Sequence, residues 1–183
     1  MKKEPFSKQL KKDLKSKSEH KKALFFLFLF ICFFVVFYLL CTIFYSHINY
    51  FFGYFSSFLL KAIFGVSNTF VFDSYITISQ IYIPLLSQPI EIGFLCCGII
   101  EFCLLSSAIL ASKGISIKKR VAGFLLSIPL IILFNLFRIT ITIIIVLHSS
   151  QGFAEFIHGF LFRVFLVILV VGFYYLWFKH SSK

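Results

Sequence analysis

The chain has 183 residues, is 60% hydrophobic and 20% aromatic, and carries 28 phenylalanines and a formal charge of +11. A soluble domain is about 45–50% apolar and has no interior that could hide this much apolar surface, so the composition excludes an ordinary soluble fold and points to an integral membrane protein. The positive charge would suggest a nucleic-acid partner on a soluble surface. Here it falls in three blocks that flank apolar runs, which is an orientation signal for membrane insertion, and no nucleic-acid partner is expected.

Residues 1–22 carry nine lysines and three acids and read as a solvated cytoplasmic tail with no core of its own. Leu24 to Phe44 is a continuous apolar run of spanning length. It is too long for the apolar part of a signal peptide and no small-residue cleavage site follows, so it reads as a retained signal anchor. Tyr50 to Val66 is aromatic-rich but interrupted by Lys61, and it reads as an interfacial amphipathic helix. Gly65-Val66-Ser67-Asn68 is a break. Ser74 to Ile83 alternates loosely and is followed by Pro84, Pro89 and Gly93, so one or two short strands are expected before Cys96. An open strand edge is not tolerated in lipid, which places this region at the outer surface or against other helices.

Three more spans follow, at about 94–111, 121–147 and 156–178, with Pro129 as a possible kink in the third span of the chain. The fold class is therefore all-α integral membrane, with about four transmembrane helices, an interfacial helix and a short extracytoplasmic strand region. The expected division is a tail at 1–22, one membrane-embedded domain at 23–178 and a second tail at 179–183. With four spans, the basic blocks at 1–22, 113–120 and 179–183 share one side. The opposite side, 46–93 and 148–155, holds one lysine (Lys61) and three acids. The positive-inside rule then puts both termini in the cytoplasm of a multi-pass protein of the cell membrane.

The chemistry-bearing residues gather at one level. Cys96-Cys97-Gly98-Ile99-Ile100-Glu101 opens the second span, Asn135 and Arg138 lie in the third, and His158 enters the fourth. Counting helical rise from the basic ends puts Cys96 ~25 Å, Arg138 ~27 Å and His158 ~31 Å above them, near the outer boundary. A helix N-terminus favours the thiolate of Cys96, and Gly98 lets a backbone or substrate approach closely. Arg138 is costly in a membrane and marks a functional site, or else snorkels or pairs with Glu101. Asn135, one turn earlier, is placed to hold it. Glu101 reads as a brace, paired with Arg138 or Arg163 or else protonated. His148 is the rival of His158. Cys32, Cys41 and Cys103 read as small apolar side chains. No cysteine or histidine spacing suits a metal, and no cofactor is implied. Cysteine and histidine together are what thiol acyl transfer needs, with the arginine stabilising the oxyanion.

These residues resemble the archaeosortase/exosortase family of membrane-embedded cysteine transpeptidases. Cys96-Cys97-Gly98-Ile99 resembles the family's Cys-(Ser/Thr)-Gly-(Leu/Ile) motif, with Glu101 similar to an acid that follows it. Asn135-Leu136-Phe137-Arg138-Ile139 resembles Asn-x-x-Arg-Ile. Phe156-Ile157-His158, before an aromatic-rich last span ending in Trp177, resembles the third motif. The resemblance covers about residues 60–178, and its details lean towards the archaeal branch. It implies Cys96 as nucleophile, Arg138 as transition-state stabiliser and His158 as general acid/base, with the active site at the extracytoplasmic face. The implied substrates are exported proteins ending in a signature motif, a transmembrane helix and a basic tail. The new carboxyl end would pass to a lipid-linked acceptor. Cys97 stands where the family has Ser or Thr, which leaves the choice of thiol open, although register favours Cys96. The competing readings are a non-enzymatic assembly protein, a thiol redox protein using Cys96 and Cys97, and a protease that only hydrolyses.

Overall fold

The longest apolar run of the chain lies within a helix that no glycine or proline interrupts. α1 runs from Phe6 to Ile43, so the lysine-rich segment and the first apolar run form one continuous helix. The structure, a computed structural model, describes residues 6–149, 153, 156–157, 159 and 162–182. The apolar part of α1, His20–Ile43, has 24 residues, ~36 Å of helix against ~30 Å of hydrocarbon. None of its most apolar stretch is buried within the protein. Leu24, Leu27, Phe28, Leu39 and Leu40 are exposed, as lipid-facing residues are, while Phe34 and Phe37 turn inwards and Phe37 packs on Phe102 of the third helix and on Phe124.

α2, Tyr45–Phe64, ends at Gly65, whose φ of +63° is the left-handed turn that glycine takes without strain. Its buried residues, Asn49, Phe52, Gly53, Ser56, Ser57 and Leu60, recur at three- and four-residue intervals and form one stripe. That stripe is largely small and polar, while Tyr50, Tyr54, Phe55 and Phe58 are exposed. The aromatic face is turned outwards and the polar face inwards, which suits an interfacial setting.

The stretch before Cys96 forms three strands rather than one or two. β1 (Thr69–Asp73), β2 (Ile78–Tyr82) and β3 (Ile90–Ile92) make an antiparallel sheet of order β1-β2-β3. Residues 74–77, expected to begin a strand, form the turn between β1 and β2. The Asp73 carboxylate accepts from the Tyr75 amide at 2.8 Å and the Ile76 amide at 3.3 Å. That local bond holds the chain in a turn despite its β-branched residues. The sheet packs on α2, where Gly53 admits Ser79 and Phe70 so closely that a Cβ would overlap both.

A single 3₁₀ turn, Phe94–Cys96, leads through Cys97 and Gly98 into α3, Ile99–Ala111. α3 has 13 residues, ~20 Å, and is shorter than the expected span at 94–111. The left-handed Gly98 is what separates the 3₁₀ turn from the helix. α4 runs from Ile117 to His148 with Pro129 inside it, and α5 from Phe162 to Ser181. Three helices, α1, α4 and α5, are long and apolar enough to cross a membrane, among the described residues. The fold is thus that of an all-α membrane protein with a small sheet.

Along α4 the buried residues Gly123, Ser127, Ile131 and Asn135 recur every four positions, whereas Leu125, Leu126, Leu133 and Phe137 are exposed. Small residues let helices approach in lipid: Ser127 Oγ lies 3.4 Å from Ser106 Oγ on α3, and Gly123 admits the Trp177 ring of α5.

The basic ends of these helices converge. Arg120 donates to the Leu110 carbonyl at 2.9 Å, Lys119 Nζ to the Ser181 carbonyl at 2.8 Å, and the Ser112 and Tyr174 hydroxyls meet at 2.8 Å. Lys113 Nζ sits 3.1 Å from the centroid of the Phe25 ring. The sheet and the cysteine pair lie in the other half of the molecule, by α2 and the C-terminal half of α4.

Candidate functional site

Cys96 closes the 3₁₀ turn, its amide donating to the Gly93 carbonyl at 3.0 Å. The helix that follows starts at Ile99, so Cys96 stands ahead of the N-terminal amides of α3 rather than on them. Gly98 is the N-cap, with φ +66°, a conformation that costs a residue with a Cβ. A Cβ there would also overlap the Asn135 side chain. What approaches Gly98 closely is therefore Asn135, and the glycine is required twice over, for its backbone and for its missing side chain.

The two neighbouring thiols differ sharply in surroundings. Cys97 is 3% exposed, and its sulfur lies 3.6 Å from the Gly93 carbonyl and 3.8 Å from Asn49 Nδ2. Asn49 is fully buried on α2, and its Nδ2 donates to the Ile92 carbonyl at 2.6 Å and to the Tyr45 hydroxyl at 3.1 Å. Its own carbonyl accepts from Ser79 Oγ at 2.9 Å. One asparagine thus ties α2, the last strand and the cysteine turn together. Cys96 is partly exposed and opens on a cleft of about 540 Å³ between the 86–92 segment and α4. On the other side of the turn, Cys97 and Gly98 line a separate, almost wholly apolar cavity of about 350 Å³ bordered by α1, α2, α3 and α4. None of the five cysteines is in a disulfide.

Arg138 comes to this turn from α4. It is 3% exposed, and one of its terminal nitrogens donates to the Leu95 carbonyl at 3.3 Å, one residue before Cys96. Its Nε is buried with no hydrogen-bond partner among the described residues. A buried guanidinium is costly and native structures satisfy nearly all such groups, so an idle N–H beside a thiol-bearing turn calls for a reason. Asn135, expected to hold Arg138, bonds instead to its own helix, Nδ2 to the Ile131 carbonyl at 2.9 Å, and leaves Oδ1 buried without a partner among the described residues. Its contact is with Gly98.

Glu101 lies in the first turn of α3, half-buried. Of the two partners expected for Glu101, Arg138 donates to the Leu95 carbonyl. His158 and the side chain of Arg163 lie outside the described residues. The rival histidine, His148, is exposed at the end of α4, with Nδ1 2.9 Å from the Ile144 carbonyl. No cluster of potential metal ligands occurs among the described residues.

The geometry therefore brings Cys96, Gly98, Asn135 and Arg138 together from two segments some forty positions apart. It adds Asn49, which the sequence reading passed over. The only sign of it there was a polar residue on the inner face of an aromatic-rich helix. The arrangement offers a thiol reached by the cleft and, packed behind it, a buried guanidinium with a donor that has no partner among the described residues.

No curated protein and no solved structure gives a significant match to the chain. The family model of the transmembrane exosortases matches residues 18–175, from the end of the lysine-rich segment into α5, and so takes in the whole of this constellation. The chain belongs to the transmembrane exosortase family, a family of membrane-embedded protein-sorting transpeptidases.

Proposed function

We propose that this protein is a cysteine transpeptidase that cleaves the C-terminal sorting signal of exported proteins and passes the new carboxyl end to a lipid-linked acceptor. The observation that carries this reading is Arg138: a buried guanidinium, fixed on the carbonyl next to Cys96, with a donor that no described residue uses. Cys96 is the nucleophile, since it lines the open cleft while Cys97 is packed away. Its sulfur attacks the scissile carbonyl, and Arg138 stabilises the oxyanion of the tetrahedral intermediate. His158 takes the thiol proton and then gives it to the departing amine, leaving a thioester on Cys96. Attack by the acceptor nucleophile releases the product and restores the thiol. Gly98 and Asn135 set the turn in which the thiol sits. Glu101 acts as a brace rather than a reactant.

In this reading both termini are cytoplasmic and the site faces outwards. The gathering of Lys119, Arg120 and the end of α5 at one end of the bundle supports it through the positive-inside rule. The substrate's own helix enters the bilayer beside the spans, with its basic end in the cytoplasm.

The deciding experiment follows the size shift of a reporter that ends in such a tail, taken from an exported protein of the same genome. Cys96→Ala is expected to slow processing by at least about 10³-fold, as removal of a catalytic nucleophile does. Cys97→Ala should leave processing standing. Processing that survives Cys96→Ala but fails in Cys97→Ala moves the nucleophile to the neighbouring thiol. Survival in both variants removes the thiol mechanism.

A further inference from the structure

The cleft beside Cys96 has two unlike walls. β2 is the central strand, so β3 is an edge of the sheet. Edge strands present a row of backbone N–H and C=O groups that lack strand partners. At the margin of a bilayer such groups have to be satisfied. All three residues of β3, Ile90, Glu91 and Ile92, line the cleft. Successive side chains of a strand point to opposite faces, so three consecutive lining residues mean that the strand presents its edge rather than one face. The opposite wall is the side of α4 that carries Ile139, Thr142 and Val146. One wall thus offers main-chain hydrogen bonding and the other mostly apolar side chains. An extended polypeptide matches both at once, with backbone groups along its edge and side chains off its faces.

Direction follows from the chain. β3 runs towards Cys96, with only Gly93, Phe94 and Leu95 between them. A peptide whose acyl end must meet that thiol has to run the same way. Ile92 is already held at its carbonyl by Asn49, which fixes the end of β3 against the cysteine turn.

We propose that β3 binds the substrate segment just ahead of the scissile bond as a fourth, parallel strand, extending the sheet to β1-β2-β3-substrate and delivering the scissile carbonyl to Cys96. This rests on Cys96 being the nucleophile of a peptide transpeptidase. Recognition is then divided: β3 reads the backbone, whatever the sequence, and the α4 wall selects alternate side chains of the signature. A strand of three residues pairs with a segment about 10 Å long, the size of a short motif.

The test uses the full-length protein in lipid vesicles with a synthetic tail peptide from an exported protein of the same genome. A series of tails carries a single ester in place of one amide at each successive position ahead of the scissile bond. An ester removes one N–H and leaves every side chain in place. Strand addition is expected to lower kcat/KM by about 2- to 12-fold at every second position, the range for one lost hydrogen bond, with smaller losses at the intervening positions, where the ester only weakens the preceding carbonyl as an acceptor. If the unmodified tail is cleaved in a Cys96-dependent way and the esters show no alternation, the strand proposal is overturned while the transpeptidase reading stands. If the unmodified tail is not cleaved at all, both fall.

Discussion

Gly98 and Arg138 carry most of what single residues decide here. Gly98 has φ +66° and faces Asn135 with no room for a methyl group. Gly98→Ala therefore meets a left-handed backbone penalty of about 1–2 kcal/mol, before any overlap with Asn135 is relieved. Thermal unfolding in detergent should show that loss, and tail processing should fall with it. Arg138 poses a different question, because its charge and its shape separate. Arg138→Lys keeps the charge but loses the planar fork that reaches the Leu95 carbonyl and still holds a donor in reserve. Processing by Arg138→Lys is expected to fall by about 10²–10³-fold, the range for a lost oxyanion donor. A lysine variant as active as the parent would make Arg138 a structural cation. These residues were legible from sequence because each is out of place: a glycine after paired cysteines, and an arginine and an asparagine in an apolar run. Asn49 was not legible. Its partners Ile92 and Cys97 lie 43 and 48 positions away, and nothing local announces them.

Among the elements, the long helices follow directly from uninterrupted apolar runs, and the short ones do not. The expected second span at 94–111 is broken by the left-handed Gly98, so its helix begins only at Ile99. β1 was hidden because Thr69–Asp73 follows a glycine-serine-asparagine break, while the β-branched residues after it looked more like a strand. Asp73 settles the matter by bonding two amides beyond it, which makes 74–77 the turn. Tertiary packing does the rest: β2 is held on α2 because Gly53 leaves room for Ser79 and because Ser79 Oγ reaches the Asn49 carbonyl. Asn49→Leu removes the donor to Ile92 and leaves buried partners unsatisfied, at a cost of about 1–3 kcal/mol. The expected signature is a lower unfolding temperature together with faster alkylation of Cys97, since the asparagine that packs beside its sulfur is gone. Unchanged alkylation would mean that α2 does not guard that thiol.

At the scale of the whole molecule the surface differs from that of a soluble protein more than the interior does. Serines, asparagines and an arginine are buried among isoleucines and leucines at the helix contacts, and further leucines and phenylalanines cover much of the outside. Its two ends have different tasks: one carries the thiol, the cleft and the sheet, and the other ties the helices by their basic termini. Ser112 and Tyr174 meet there at 2.8 Å, and Lys119 reaches the Ser181 carbonyl, each pair 62 positions apart. That spacing has a consequence for biogenesis. While the chain is being inserted, α3 and α4 can enter the bilayer and pack on each other through Ser106 and Ser127 and through the Arg120 bond to Leu110, but Ser112 and Lys119 lack their partners on α5 until that helix has followed. A nascent chain at that stage is a bundle open at one end, and quality-control proteases act on such intermediates. Tyr174→Phe, which deletes a single hydroxyl worth about 1 kcal/mol, should therefore reduce the amount of protein that accumulates in the membrane more than it reduces turnover per molecule. Quantitative blotting beside the tail-processing assay separates the two, and equal losses would place the tie in catalysis rather than in assembly.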